Sequence, residues 1–211
     1  MAAKEFLKDV YALKSAAETR ALYDDWSATY DQEVGAKGYA TPARVAKALA
    51  VLLPDRAAPI LDFGCGTGMS GAALQAQGFS VIDGCDLSAE MLAQAREKHT
   101  YRKLWQADAN APLAARPGDY AAITAVGVVS VGAAPPETLD QLVGALAPGA
   151  LLAFSFNDHT FDDPRFLARV THYLDTGTCT QLVREDGEHL PGIGLRSTVV
   201  DRKSTRLNSS H

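Results

Sequence analysis

The chain has 211 residues, 47% of them hydrophobic, 21% charged and 8% aromatic. That composition can bury a full core as one domain and excludes disorder, collagen-like repeats and a disulfide-built miniature. A formal net charge of -5 lacks the basic field that non-specific nucleic-acid binding needs, so a small-molecule partner is expected and nucleic acid is not.

Cys65, Cys85 and Cys179 lack the paired spacing of a zinc site or a redox pair, and no His, Cys and carboxylate spacing suggests a metal. They read as free thiols in a reducing cytosol, hence a cytoplasmic protein. The N-terminus carries charges where a signal peptide needs an apolar run, and the longest uncharged stretch, 120–136, is too short and too rich in glycine and proline to span a membrane.

In chain order, residues 4–31 show helical spacing of Phe6, Leu7, Val10, Tyr11 and Leu13, then of Leu22, Tyr23, Trp26 and Tyr30. Thr41-Pro42 reads as an N-cap with proline in the first turn, opening a helix through Leu53. Residues 1–53 are thus expected to form a helical lid segment within the same domain as a core over 54–200.

From Ile60 the pattern changes to short apolar runs alternating with amphipathic segments, as in a parallel sheet covered on both faces. Strands are expected at 60–63, 79–85, 104–107, 120–126 and 151–156. Helices are expected at about 68–77, after Ser88 as N-cap, at 137–146 and near 164–174. Two further strands near 178–184 and 195–200, with a turn at Asp186-Gly187, make seven.

Residues 201–211 are polar and aperiodic, and they resemble a translated sequencing adapter. They are expected to be a non-native tail that carries no chemistry.

Three glycines in five residues, Gly64, Gly66 and Gly68, lie where the first strand hands over to a helix. Such a run is conformationally costly unless something must approach the backbone. In a doubly wound sheet this turn faces ligands at the carboxyl edge, and Asp86, 20 residues after Gly66, stands where a carboxylate can accept both hydroxyls of a ribose. A dinucleotide turn would want glycine or alanine where this chain has Met69, which disfavours the rival reading, a nicotinamide-dependent oxidoreductase.

Ile60-Leu-Asp-Phe-Gly-Cys-Gly-Thr-Gly68 resembles the first motif of the class I S-adenosylmethionine-dependent methyltransferases. The resemblance runs roughly from Tyr23 to Asn157 and takes in Asp86, Asp108 and the turn at Pro148-Gly149. It implies an α/β, doubly wound, Rossmann-like fold with a seven-stranded, mostly parallel sheet. It also implies S-adenosylmethionine as cofactor and methyl transfer to a small-molecule acceptor by in-line displacement.

The resemblance assigns Gly64, Cys65, Gly66 and Gly68 to the turn passing the cofactor's amino-acid end, with Asp62 helping to hold its ammonium. Asp86 takes the ribose, Asp108 and Ala109 the adenine edge, and Leu87 and Met91 the ring faces. Backbone at Ala125 and Val126 takes the methionine part. Asp62 and Asp108 also read as ordinary turn-forming aspartates.

The stretch from Tyr23 to Asp31 resembles one preceding the core in many small-molecule methyltransferases, particularly those similar to methyltransferase-like protein 27. It would set Tyr30 over the methionine end, with Tyr23 and Trp26 on the substrate side. Aromatics at helical spacing equally read as core. Asp158 and His159, just after the fifth strand, are the candidates for a general base at the lip of the site, against a plain solvated pair. A cofactor-binding module without catalysis is the third reading.

Overall fold

The computed structural model describes residues 15–204, so residues 6, 7, 10, 11 and 13 of the first helical pattern lie outside it. Among the described residues three helices come first: α1 (Ala16–Trp26), α2 (Tyr30–Ala36) and α3 (Thr41–Leu52). The core follows as β1 (Ile60–Phe63), α4 (Met69–Ala76), β2 (Ile82–Asp86), α5 (Ala89–Glu97), β3 (Lys103–Gln106), β4 (Ala122–Ala125), α6 (Thr138–Gly144) and β5 (Leu151–Asn157). It closes with α7 (Asp158–Phe161), α8 (Pro164–Asp175), β6 (Cys179–Leu190) and β7 (Leu195–Ser204).

The described strands form one sheet in the order β3-β2-β1-β4-β5-β7-β6. All neighbours are parallel except β7, which runs antiparallel to both β5 and β6. The alternation of apolar residues explains why both faces are covered. Ile60, Ala122, Leu151 and Ala153 enter one core with Val45, Leu49 and Leu74 of the helices. Their strand neighbours Leu61, Ile123, Leu152 and Phe154 enter the other with Leu139, Leu142 and Phe166. Strand order reverses on either side of β1, so the carboxyl ends of β1 and β4 bound the crevice where such sheets take ligands.

Several sequence expectations are corrected in detail. β2 begins at Ile82 rather than at residue 79, because Phe79 is buried in the helical core and its N–H bonds to Leu74 of α4. The hairpin turns at Pro191–Gly194, not at Asp186-Gly187, both of which lie inside β6. Gly187 is a packing position: a Cβ there would come within 2.6 Å of the Arg44 guanidinium. Thr41 is the first residue of α3, with Ala40 as N-cap. Its hydroxyl is drawn to His189 and Ser197 instead of capping the helix.

β7 runs to Ser204, so residues 201–204 of the expected tail pair with β5 and β6. Residues 205–211 lie outside the described part.

Candidate functional site

The glycine turn is tied to the end of β2. Gly64 and Cys65 both donate their backbone N–H to the Cys85 carbonyl, at 2.8 and 3.0 Å. Its three glycines have left-handed φ values, and two are closely approached by neighbours. A Cβ on Gly64 would meet Val128, beyond β4, at 2.4 Å, and one on Gly68 would meet the Tyr101 ring at 3.1 Å. Gly66, at φ 52°, has nothing within 4 Å of its Cβ position and is the one whose backbone faces open space. Cys65 is 4% exposed and burial pushes its thiol pKa well up, so its part in the turn is through its backbone.

Asp86 at the end of β2 closes the turn from the other side. One carboxylate oxygen accepts Gly66 N–H at 2.8 Å and the other accepts Ser88 N–H at 2.9 Å. Burial raises its pKa, and those backbone donors pull the other way. Each oxygen keeps a lone pair for a further donor. Gly66 and Asp86 are therefore in direct contact.

Asp62 is turned into the protein. It is wholly buried, and its carboxylate accepts the hydroxyls of Ser70 at 2.5 Å, Tyr101 at 2.7 Å and Thr124 at 2.9 Å. Burial raises its pKa against those three donors. Its role is to brace β1 against β4 and α4. Tyr101, which the sequence reading missed, completes the brace: its hydroxyl accepts Gly71 N–H at 3.1 Å while its ring fills the places where Gly71 and Gly84 lack side chains.

Met91 is 1% exposed and Ala125 is fully buried, so neither offers a side chain to a ligand, while Leu87 and Val126 are half-buried. Asp108 and Ala109 are exposed beyond β3, where the Asp108 carboxylate accepts Asn110 N–H at 2.9 Å, an ordinary Asx turn.

The N-terminal helices dock on this edge. Asp31 of α2 accepts the Thr67 hydroxyl at 2.5 Å and the Lys98 ammonium at 2.6 Å, and Lys98 also donates to the Thr67 carbonyl. Asp24 of α1 accepts the hydroxyl of Ser88, the residue that caps α5. Thr19 donates to the Gly132 carbonyl beyond β4. Asp24 and Asp31 each follow a tyrosine in the N-terminal motif; the sequence reading took up the aromatics and passed over the acids.

Trp26 is 1% exposed and packs with Val34 and Leu190. It belongs to a core cluster rather than to an acceptor wall, which corrects the substrate-side expectation. Tyr30 sits edge-on to Trp26, ring centroids 4.6 Å apart, at the half-buried fringe of that cluster with Tyr23, Tyr39 and Met69. Burial raises the Tyr30 pKa well above 10.0, and Asp86 is among the charges that act on it.

At the other end of the edge, Asp158 and His159 are exposed in the first turn of α7. Asp158 accepts Arg196 N–H at 3.0 Å, which ties α7 to β7. Among the described residues no group of His, Cys, Asp and Glu is placed to hold a metal, and no helix is long and apolar enough to cross a membrane.

The donor chemistry of the edge suits a nucleoside with free hydroxyls. Asp86 is an acceptor for a diol, and Gly66 leaves the backbone bare. The start of α4, where a pyrophosphate would lie, carries the Asp31 carboxylate and the Met69 side chain.

This sheet and glycine turn define a class I methyltransferase fold, and residues 61–152 match the family model described as a methyltransferase domain. Those residues carry a methyltransferase domain, on a fold of the class I, S-adenosylmethionine-dependent methyltransferase type. The chain is 32% identical over 152 residues to methyltransferase-like protein 27 of Homo sapiens, an alignment covering 71% of this chain and 62% of that protein. The chain therefore spans less than two thirds of that relative's length.

Two solved structures share the fold at low identity. One is magnesium protoporphyrin IX methyltransferase from Synechocystis PCC 6803, solved with bound S-adenosylmethionine (TM-score 0.61, 17% identity, 95% of this chain and 90% of that one). The other is a chain of the complex between a Haloferax volcanii methyltransferase activator and a putative methyltransferase (TM-score 0.66, 14% identity, 91% and 100%).

Proposed function

We propose that the chain binds S-adenosylmethionine and transfers a methyl group to a small-molecule acceptor by in-line displacement. The observation that carries this is Asp86: an acceptor-only carboxylate held by Gly66 N–H and Ser88 N–H beside the one glycine of the turn that faces open space. Asp86 accepts the ribose hydroxyls, Leu87 lies against the adenine, and Asp108 takes the adenine amino group by turning from its Asx bond. Bound S-adenosylmethionine supplies a methyl group already activated by its sulfonium centre.

What remains for the protein is to align the acceptor and keep water out. Tyr30 and the docked α1 and α2 serve that end. His159 is the base available to an acceptor that must lose a proton, with Asp158 as its brace on β7. The acidic balance of the chain and the helices docked over the turn favour a small acceptor over a polyanion.

Incubation with methyl-labelled S-adenosylmethionine and a fractionated metabolite extract tests the reading. Label is expected in a low-molecular-mass product. Cofactor binding without any labelled product would favour a non-catalytic module.

A further inference from the structure

His189 stands at a place that the proposed reaction leaves unassigned. It lies near the end of β6, and the antiparallel pairings of Gly187 with Ser197 and of Ser197 with Asn157 bring that end to the carboxyl edge of β5. This is the half of the edge away from Asp86. Tyr39 links it to the crevice: its ring is edge-on to His189, centroids 5.3 Å apart, and its hydroxyl is 2.7 Å from the Cβ position of Gly127, two residues past β4. Leu190, the next residue, packs with Trp26 and Val34 in the cluster that Tyr30 fringes.

The ring is 7% exposed, and its hydrogen bonds have one arrangement that gives every hydroxyl hydrogen a partner. Arg44, which can only donate, gives an N–H to Ser197 Oγ at 3.1 Å. The remaining hydrogen-bond partner of Ser197 Oγ is Thr41 Oγ1, at 2.8 Å, so the Ser197 hydrogen points there. Thr41 in turn has its hydrogen left for His189 Nδ1, at 2.8 Å. Nδ1 is therefore an acceptor, and the proton of the neutral ring is on Nε2. Burial, aided by Arg44 and opposed by Asp158, pushes the pKa down to about 4, so the ring is neutral near pH 7. Among the described residues Nε2 has no hydrogen-bond partner. Nε2 is not among the fully enclosed polar atoms, so it is the end of the ring that a ligand or water can meet.

We infer that His189 is a specificity-determining residue, its Nε2–H donating to an oxygen of the methyl acceptor, which is thus a small molecule bearing a carbonyl, carboxylate or phenolate group. The inference rests on the methyltransferase reading. It gives His189 a donor's role, distinct from that of a general base, because the ring has no free lone pair at Nε2.

His189→Asn separates the two ends of the ring. The amide oxygen can still accept from Thr41, while nothing replaces Nε2–H. The expected result is an unchanged melting temperature and affinity for S-adenosylhomocysteine, with labelling from methyl-labelled S-adenosylmethionine into the metabolite extract reduced by about tenfold, the loss of one good hydrogen bond. His189→Gln, whose amide nitrogen reaches the Nε2 position, should keep more of the labelling than His189→Asn. Nitrogen-15 NMR of histidine-labelled wild type should show Nε2 protonated at neutral pH, a reading that needs no variant to fold. Undiminished labelling by His189→Asn, or a proton on Nδ1, would overturn the inference alone. A wild type that labels no compound would overturn the methyltransferase reading, and the acceptor role would fall with it.

Discussion

Asp31 and Thr67 join the N-terminal helices to the glycine turn: the carboxylate accepts the threonine hydroxyl at 2.5 Å, and Lys98 grips both residues from behind. The N-terminal helices are therefore docked by acids on the glycine turn itself and on the cap of α5. Closure of such a segment excludes water and completes a site. Asp24 makes the equivalent attachment at Ser88, on the loop that also carries Asp86.

Asp31→Ala should lower S-adenosylhomocysteine affinity more than it lowers stability. Asp31 and Lys98 side chains are 44% and 28% exposed, and so accessible an ion pair contributes only about 0–1 kcal/mol to folding. Thermal melts beside calorimetric titrations check this. A large fall in melting temperature with unaltered affinity would make the contact purely structural.

Tyr101→Phe should do the reverse. It removes a hydroxyl that both donates to the buried Asp62 and accepts from Gly71 N–H. Leaving those groups short of a partner costs about 1–3 kcal/mol. Denaturant unfolding should show the loss, and affinity for S-adenosylhomocysteine in the folded protein should stay within a few-fold of wild type.

Trp26→Ala should cost about 3–5 kcal/mol, as truncation of a buried aromatic does, because Trp26 is 1% exposed among Val34, Leu190 and the tyrosines. A loss below 1 kcal/mol in denaturant unfolding would return it to the acceptor wall.

Stability should carry a signature of His189. Its folded pKa is about 4 against an ordinary 6.5, so the unfolded chain takes up a proton that the folded chain refuses. The contribution is fully present above pH 6.5 and is lost as pH falls toward 4, to the extent of about 3 kcal/mol. Asp62 and Asp86, with raised pKa values, act with the opposite sign from 3.8 upward, so the comparison is made between wild type and His189→Asn. Unfolding free energies should diverge between the two across that window, and parallel curves would show that the ring is not held neutral.

Much of this was legible in the sequence where burial is two-sided. The run Ile60-Leu-Asp-Phe and the run Leu151 to Phe156 announce central strands because each residue meets one core or the other. Asp86 was legible because its distance from Gly66 follows from one βαβ unit. The end of β6 was not. It is an exposed edge bearing Arg184, Glu185, Asp186 and Glu188, so no apolar alternation marks it, and Gly187 looked like a turn although it makes room for Arg44.

The buried polar contacts were the other blind spot. Asp62 with Tyr101, Thr41 with His189, and Asp31 with Thr67 join residues 39, 148 and 36 positions apart. Hydroxyls and carboxylates with such distant partners leave no periodic trace.

The central claim, that Asp86 and the bare backbone at Gly66 form a seat for S-adenosylmethionine, is tested most directly by calorimetric titration of the wild-type protein and Asp86→Asn with S-adenosylhomocysteine, with NADH as the control. Asp86→Asn keeps one oxygen for a backbone N–H and removes the charged acceptor. The account predicts saturable binding of S-adenosylhomocysteine by the wild type, weakened in the variant by about 1.5–3 kcal/mol, a melting temperature lowered by the one backbone N–H that loses its acceptor, and no binding of NADH. Binding of NADH without S-adenosylhomocysteine, or equal affinity of the two proteins for S-adenosylhomocysteine, would contradict it.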